Sequence, residues 1–221
     1  MKKIIAILLV LSVMFVAFAY DAETTDASME ITASVAGRLF HGFTQAGLTA
    51  TPTSSSIKDI AATLESSAAI DLIGDGAGTT DYTVGYYNLF STGNAAKTIG
   101  FIVNPLKTAE IDGYTYYVPY KLTVDALVDE TNMHGITNAA DTLVSTEIDL
   151  GATPERTVGT AASSTVIQKT EDVLKATATP GRKWASVLVK VTIDEAANDG
   201  FGLPAGDDIY EATITATLTS S

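Results

Sequence analysis

The chain contains no cysteine. That excludes a disulfide-stapled scaffold, a thiolate nucleophile and a lipid anchor on a cleavage-site cysteine. Histidine is almost as scarce: His41 and His134 are the only two, and each stands beside a glycine in a segment that reads as loop. Neither has a second histidine or a cysteine at ligand spacing, so the sequence offers no zinc site. There is no G-x-S-x-G elbow, and the glycine-rich run Gly74–Gly78 lacks the Gly-Lys-Ser/Thr ending of a phosphate loop. Positive charge is also in short supply. The 13 Lys and Arg residues stand against 26 Asp and Glu, a net charge of −13. A surface this acidic repels phosphate backbones and anionic lipid, so neither nucleic acid nor a membrane surface is an expected partner. Its plainest use is solubility.

Long apolar runs are limited to one. Ile4 to Phe18 is almost unbroken, follows Lys2 and Lys3, and ends in Ala17-Phe18-Ala19. This is the pattern of a secretory signal peptide over residues 1–19, with the mature chain starting at Tyr20. The run falls short of the ~20 apolar residues of a bilayer span. The expectation is export to the periplasm or surface of a bacterium, without membrane insertion after cleavage. Lacking disulfides, an exported domain must hold itself together by core burial.

What remains is rich in alternation. Residues 20–28 are polar and acidic and read as a flexible arm. A single β-domain is expected over 29–221. Met29, Ile31, Ala33 and Val35 share one face of a first strand, with Glu30, Thr32 and Ser34 on the other. A long connection from Gly37 to Ser56 holds one short strand near Leu39–Phe43. Ile57–Ile73 is mixed, helical in the spacing of Ile57, Ile60, Ala61 and Leu64 and strand-like at Ala69–Ile73. Tyr82–Phe90 and Lys97–Val103 read as strands joined in a hairpin through Ser91-Thr92-Gly93-Asn94. Tyr114–Val124 reads as one long aromatic strand, which Pro119 assigns to an edge or a bulge. Asp125–Asp141 reads as a polar loop, Leu143–Leu150 as a strand, Gly151–Ser164 as a loop and Thr165–Leu174 as a further strand. Lys183–Ile193 carries the strongest pattern, with Ala185, Val187, Val189, Val191 and Ile193 on one face. The chain closes on a half-buried strand in which Tyr210, Ala212, Ile214, Ala216 and Leu218 alternate with Glu211 and four threonines. Eight to ten strands separated by turn signals predict an all-β protein, an Ig-like antiparallel β-sandwich.

No constellation of catalytic residues emerges, and the expectation is a protein that is not an enzyme and holds no cofactor or metal. Asp71, Asp75 and Asp81, and Asp194, Glu195 and Asp199, flank glycine-containing turns. Calcium favours such oxygen clusters, but aspartate is equally at home in turns through its own backbone hydrogen bonds, and no EF-hand spacing is present. Tyr114, Tyr116, Tyr117 and Tyr120 read as residues divided between core and sheet surface; a sugar-stacking platform is the alternative.

Three segments carry a resemblance. Met29-Glu30-Ile31-Thr32-Ala33-Ser34-Val35 is similar to the opening strand of chaperone–usher fimbrial subunits. Pro204-Ala205-Gly206 followed by Tyr210–Leu218 resembles the closing pattern of fimbrial and spore-coat-U-like domains. Tyr117-Val118-Pro119-Tyr120-Lys121-Leu122 is similar to a proline–tyrosine strand of the same families. The resemblance implies an Ig-like domain that lacks its last strand and receives it from the N-terminal arm of the next subunit. Met29, Ile31, Ala33 and Val35 are then the strand-exchange candidates, and the partners are like subunits and a periplasmic chaperone. Two alternatives stay open: Met29–Val35 is the domain's own first strand, or the protein is a monomeric exported β-sandwich that binds a glycan or a protein.

Overall fold

A computed structural model describes residues 38–48, 60, 66, 68–76, 78–128, 133–140, 142–159, 167–205 and 210–220. The expected signal segment and arm, and the strand-exchange candidates Met29, Ile31, Ala33 and Val35, lie outside the described residues. In chain order the strands are β1 (Leu39–Thr44), β2 (Thr79–Ser91), β3 (Lys97–Val103), β4 (Leu106–Lys107), β5 (Tyr114–Val118), β6 (Lys121–Val124), β7 (Met133–His134), β8 (Ile136–Asn138), β9 (Thr146–Asp149), β10 (Glu155–Val158), β11 (Lys169–Ala176), β12 (Lys183–Asp194) and β13 (Ile214–Ser220). One short helix, α1 (Glu195–Phe201), follows β12 directly.

The strand with the strongest alternation is the centre of the larger sheet. There the order is β1-β2-β12-β6-β9, with β7 also pairing β12. β12 runs antiparallel to β2 along its whole length, from Lys183 opposite Ser91 to Asp194 opposite Thr79. A bulge at this pairing passes over Val84. The extra residue flips the alternation, so Tyr82 and Val84 turn toward the same core as Tyr87 and Leu89. The second sheet has the order β13-β3-β11-β8, and a third, smaller one the order β10-β5-β4. All pairings are antiparallel.

The first two sheets face each other. Tyr87, Leu89, Val187, Val189 and Val191 from one meet Ile99, Phe101, Val103 and Leu174 from the other in a single buried cluster. Tyr87 and Phe101 make an edge-to-face contact at 5.1 Å, and Phe43 packs edge-on to both. The protein is an all-β sandwich, as the alternation predicts.

Several local expectations are corrected. Tyr114–Val124 is two strands, because Pro119 has no N–H for a ladder and the chain changes sheets there. β2 and β3 do not form a hairpin: they lie in opposite sheets, and residues 92–96 cross between them. The stretch 125–141 contains β7 and β8, with Ile136 buried, and 151–164 contains β10. Ala69–Ile73 forms no strand. The strand expected over Thr165–Leu174 runs from Lys169 to Ala176, where a bulge lets both Val173 and Leu174 face inward. Thirteen strands are described rather than eight to ten; the excess is in pieces of two or three residues, too short to show a period.

Candidate functional site

Among the described residues the sandwich is open along one side. β1 is the outer strand of the first sheet, β13 the outer strand of the second, and among the described residues each pairs on one edge only. Between them lies a groove of about 800 Å³. His41 and Phe43 line it from β1, Val84 and Gly85 from β2, and Val189 and Val191 from β12. Residues Tyr210–Ala216 form its other wall, and Tyr120 also lines it.

The backbone of that wall can be read from its hydrogen bonds. Asn104 N donates to Thr213 O, and Ile214 stands opposite Val103. Hydrogen bonding alternates along an antiparallel strand, so Thr215, Thr217 and Thr219 direct their N–H and C=O groups to β3. Ile214, Ala216 and Leu218 direct theirs outward, along the rim of the groove. The same argument holds for β1. Thr92 N donates to Arg38 O, so Leu39, His41 and Phe43 present theirs to the outside. Among the described residues, the groove is thus edged by main-chain hydrogen-bonding groups that face away from their own sheets.

Polar residues also line it: Ser66, Glu211, Thr213 and Thr215 as well as His41, Tyr120 and Tyr210. His41 lies on β1, the short strand expected within the Gly37–Ser56 connection; it is half-buried, and burial pushes its pKa below the ordinary value. Its Nδ1 shares a 3.3 Å hydrogen bond with the Tyr87 hydroxyl, whose own pKa burial raises. Tyr210 donates to Pro204 O at 3.2 Å, and burial, with Tyr116 nearby, pushes it up to about 12. Tyr120 is 2% exposed, and its buried hydroxyl has no hydrogen-bond partner among the described residues. His134, in β7, is exposed.

The acidic turns have structural employment. Asp71 accepts from the backbone N–H groups of Ile73 and Gly74, which lowers its pKa. Asp194 caps α1 by accepting from Ala197 N, and Asp81 accepts from the Thr192 hydroxyl. Among the described residues no group of three or more His, Asp or Glu side chains is arranged to hold a metal ion. Among them, too, no helix is long and apolar enough to cross a membrane. The tyrosines divide as alternation requires. Tyr117 and Tyr120 are buried, whereas Tyr114 and Tyr116 share the half-exposed face of β5, with the Arg156 guanidinium 4.9 Å from the centre of the Tyr114 ring.

Sequence reasoning did not find the groove. Its walls come from segments far apart in the chain, and only the parity of His41 with Leu39 and Phe43 hinted that this histidine faces inward. The chain matches no protein-family model, no curated protein and no solved structure.

Proposed function

We propose that this protein is an exported structural subunit of a bacterial surface fibre, joined to its neighbours by β-strand addition. The observation that carries the reading is the open side of the sandwich. A groove flanked, among the described residues, by two strand edges with outward N–H and C=O groups is what an extended segment of another chain requires: main-chain bonds give affinity, and alternate side chains fill the groove. Exposed edges are otherwise a hazard that proteins blunt with charge or proline. The outward positions of β13 carry neither, being Ile214, Ala216 and Leu218. The segment proposed to enter is Met29–Val35 of a second copy, with Met29, Ile31, Ala33 and Val35 inward. An Ig-like topology and a periplasmic chaperone belong to the same proposal.

The test is the mass distribution of the exported protein on a denaturing gel, unheated against boiled. A ladder that collapses on boiling is the expected result. A single monomer band in both lanes, with monomer mass in solution, would sink it. A chain lacking Tyr20–Val35 should fold yet form no ladder.

A second reading, a monomeric binding module for a glycan, draws on the half-exposed Tyr114 and Tyr116. It predicts that Tyr116→Ala abolishes retention on a glycan array while leaving the oligomeric state unchanged.

A further inference from the structure

Charge is unevenly spread along the sandwich. β12 begins at Lys183 and ends at Asp194. At the Lys183 end, Ser91 pairs with both Lys183 and Leu39, His134 stands opposite Trp184, and Lys97 stands opposite Ala176 and Ser220. Arg38, Lys97, His134, Lys175, Arg182 and Lys183 therefore gather there, with Arg38, His134 and Arg182 exposed. Among the described residues that end is formed by 38–41, 88–98, 133–138, 174–186 and 217–220, and these include no Asp or Glu, although the chain has 26. Lys183 is buried and donates to a neutral acceptor, Gly93 O, at 2.6 Å. The Arg182 guanidinium lies 5.8 Å from the centre of the Phe90 ring. The other end of β12 is acidic. Asp194 is followed there by Glu195 and Asp199 in α1, Asp81 accepts from Thr192, and the Asp71 carbonyl accepts from Tyr82.

We propose that the basic end clasps the acidic arm, residues 20–28, of a second copy. This rests on the strand-addition reading of the groove. The arm carries Asp21, Glu23 and Asp26 and no Lys, Arg or His. It directly precedes Met29–Val35, so it follows that strand into whichever copy the strand enters. Met29–Val35 has seven residues, the length of β13, and β13 finishes at the basic end with Ser220 opposite Lys97. A strand laid antiparallel to β13 starts beside Ser220 and delivers the arm to Arg38 and Arg182. Laid the other way, it carries three carboxylates toward Asp194 and Asp199, where like charges oppose each other. The open edge of β13 can bond a strand of either direction, so charge is what distinguishes the two. Copies with a net charge of −13 repel at a distance, and a local contact of opposite sign steers their encounter.

The test uses full chains and the unheated gel ladder, normalised to the amount of exported protein. One variant reverses the end (Arg38→Glu with Arg182→Glu), and another reverses the arm (Glu23→Lys with Asp26→Lys). Each alone should form about tenfold less ladder than the unaltered chain. Expressed together they should recover it, since the arm of each then matches the end of the other. In about 0.5 M salt, where charges are screened within a few ångström, the deficit of each variant should shrink, which the deficit of a misfolded chain would not do. Thermal melting checks both folds, and Arg38→Gln with Arg182→Gln replaces the reversed end if that variant does not melt like the parent. If both variants assemble as well as the parent, or if the mixture assembles no better than either alone, the inference is overturned. If the unaltered chain forms no ladder, the strand-addition reading itself fails.

Discussion

Gly74 stands at a φ of 51°, and the place where a Cβ would project is taken by the carboxylate of Glu195, itself buried at the start of α1. Only glycine meets both demands. Gly74→Ala should therefore destabilise by about 2 kcal/mol, as strained backbone and a displaced buried carboxylate add together. The shift in urea midpoint measures it. A pH effect belongs to the same scale. His41 has a folded-state pKa below its ordinary value because burial disfavours the cation. The unfolded chain then binds a proton more readily. The contribution to stability is fully present above the unfolded value of about 6.5 and is lost as pH falls through the lowered folded one. Urea midpoints measured from pH 8 to pH 5 should fall on the acid side, and His41→Gln should flatten that part of the curve. An unchanged slope would mean that the burial of His41 has no thermodynamic weight.

Among the elements, α1 is the one that its cap decides. Seven residues are too few for a helix to persist on propensity, and this one begins where Asp194 accepts from Ala197 N at 3.0 Å. At its other end Gly202 takes the left-handed conformation, φ 70°. Asp194→Ala should cost about 1 kcal/mol in chemical denaturation. The helix also shows where the sequence is legible and where it is not. β3 and β12 were readable to within a residue, because each has a face that alternates over several pairs. α1, β7, β8 and β10 were not, since two to seven residues cannot display a period. The hairpin between β2 and β3 was misread for a different reason. A Ser-Thr-Gly-Asn turn signal fixes a change of direction, not the sheet to which the next strand belongs. Pro119 was correctly read as a disturbance of the ladder, yet only tertiary structure shows that it separates two sheets. The groove was the least legible part, as it is made of edges, and an edge is defined by the strand that is not there.

At the scale of the whole molecule, the two edges left open among the described residues make a prediction that depends on backbone direction alone. By the alternation described above, the N–H of Ala216 points away from β3 and that of Thr217 toward it. Proline at an outward position removes no existing ladder bond, so Ala216→Pro should cost the fold only about 1 kcal/mol while preventing strand addition beside β13. Thr217→Pro should cost about 3 kcal/mol or more. The pair separates folding from assembly when thermal melting and the unheated gel ladder are read together. If Ala216→Pro assembles as readily as the parent chain, the incoming strand pairs with β1 or with neither edge.

The central pairing of the sandwich joins the early part of the chain to the late part. Its ends are tied by hydrogen bonds that span 90 residues, Lys183 to Gly93, and 111 residues, Thr192 to Asp81. The middle strand therefore leaves the ribosome long after the strands it docks between, and every shorter nascent length is denied its hydrophobic centre. Topologies dominated by such distant partners collapse late, on the order of milliseconds to seconds, once both halves are available. A nascent chain that stops short of residue 183 therefore offers proteases β2 and β6 with no strand between them.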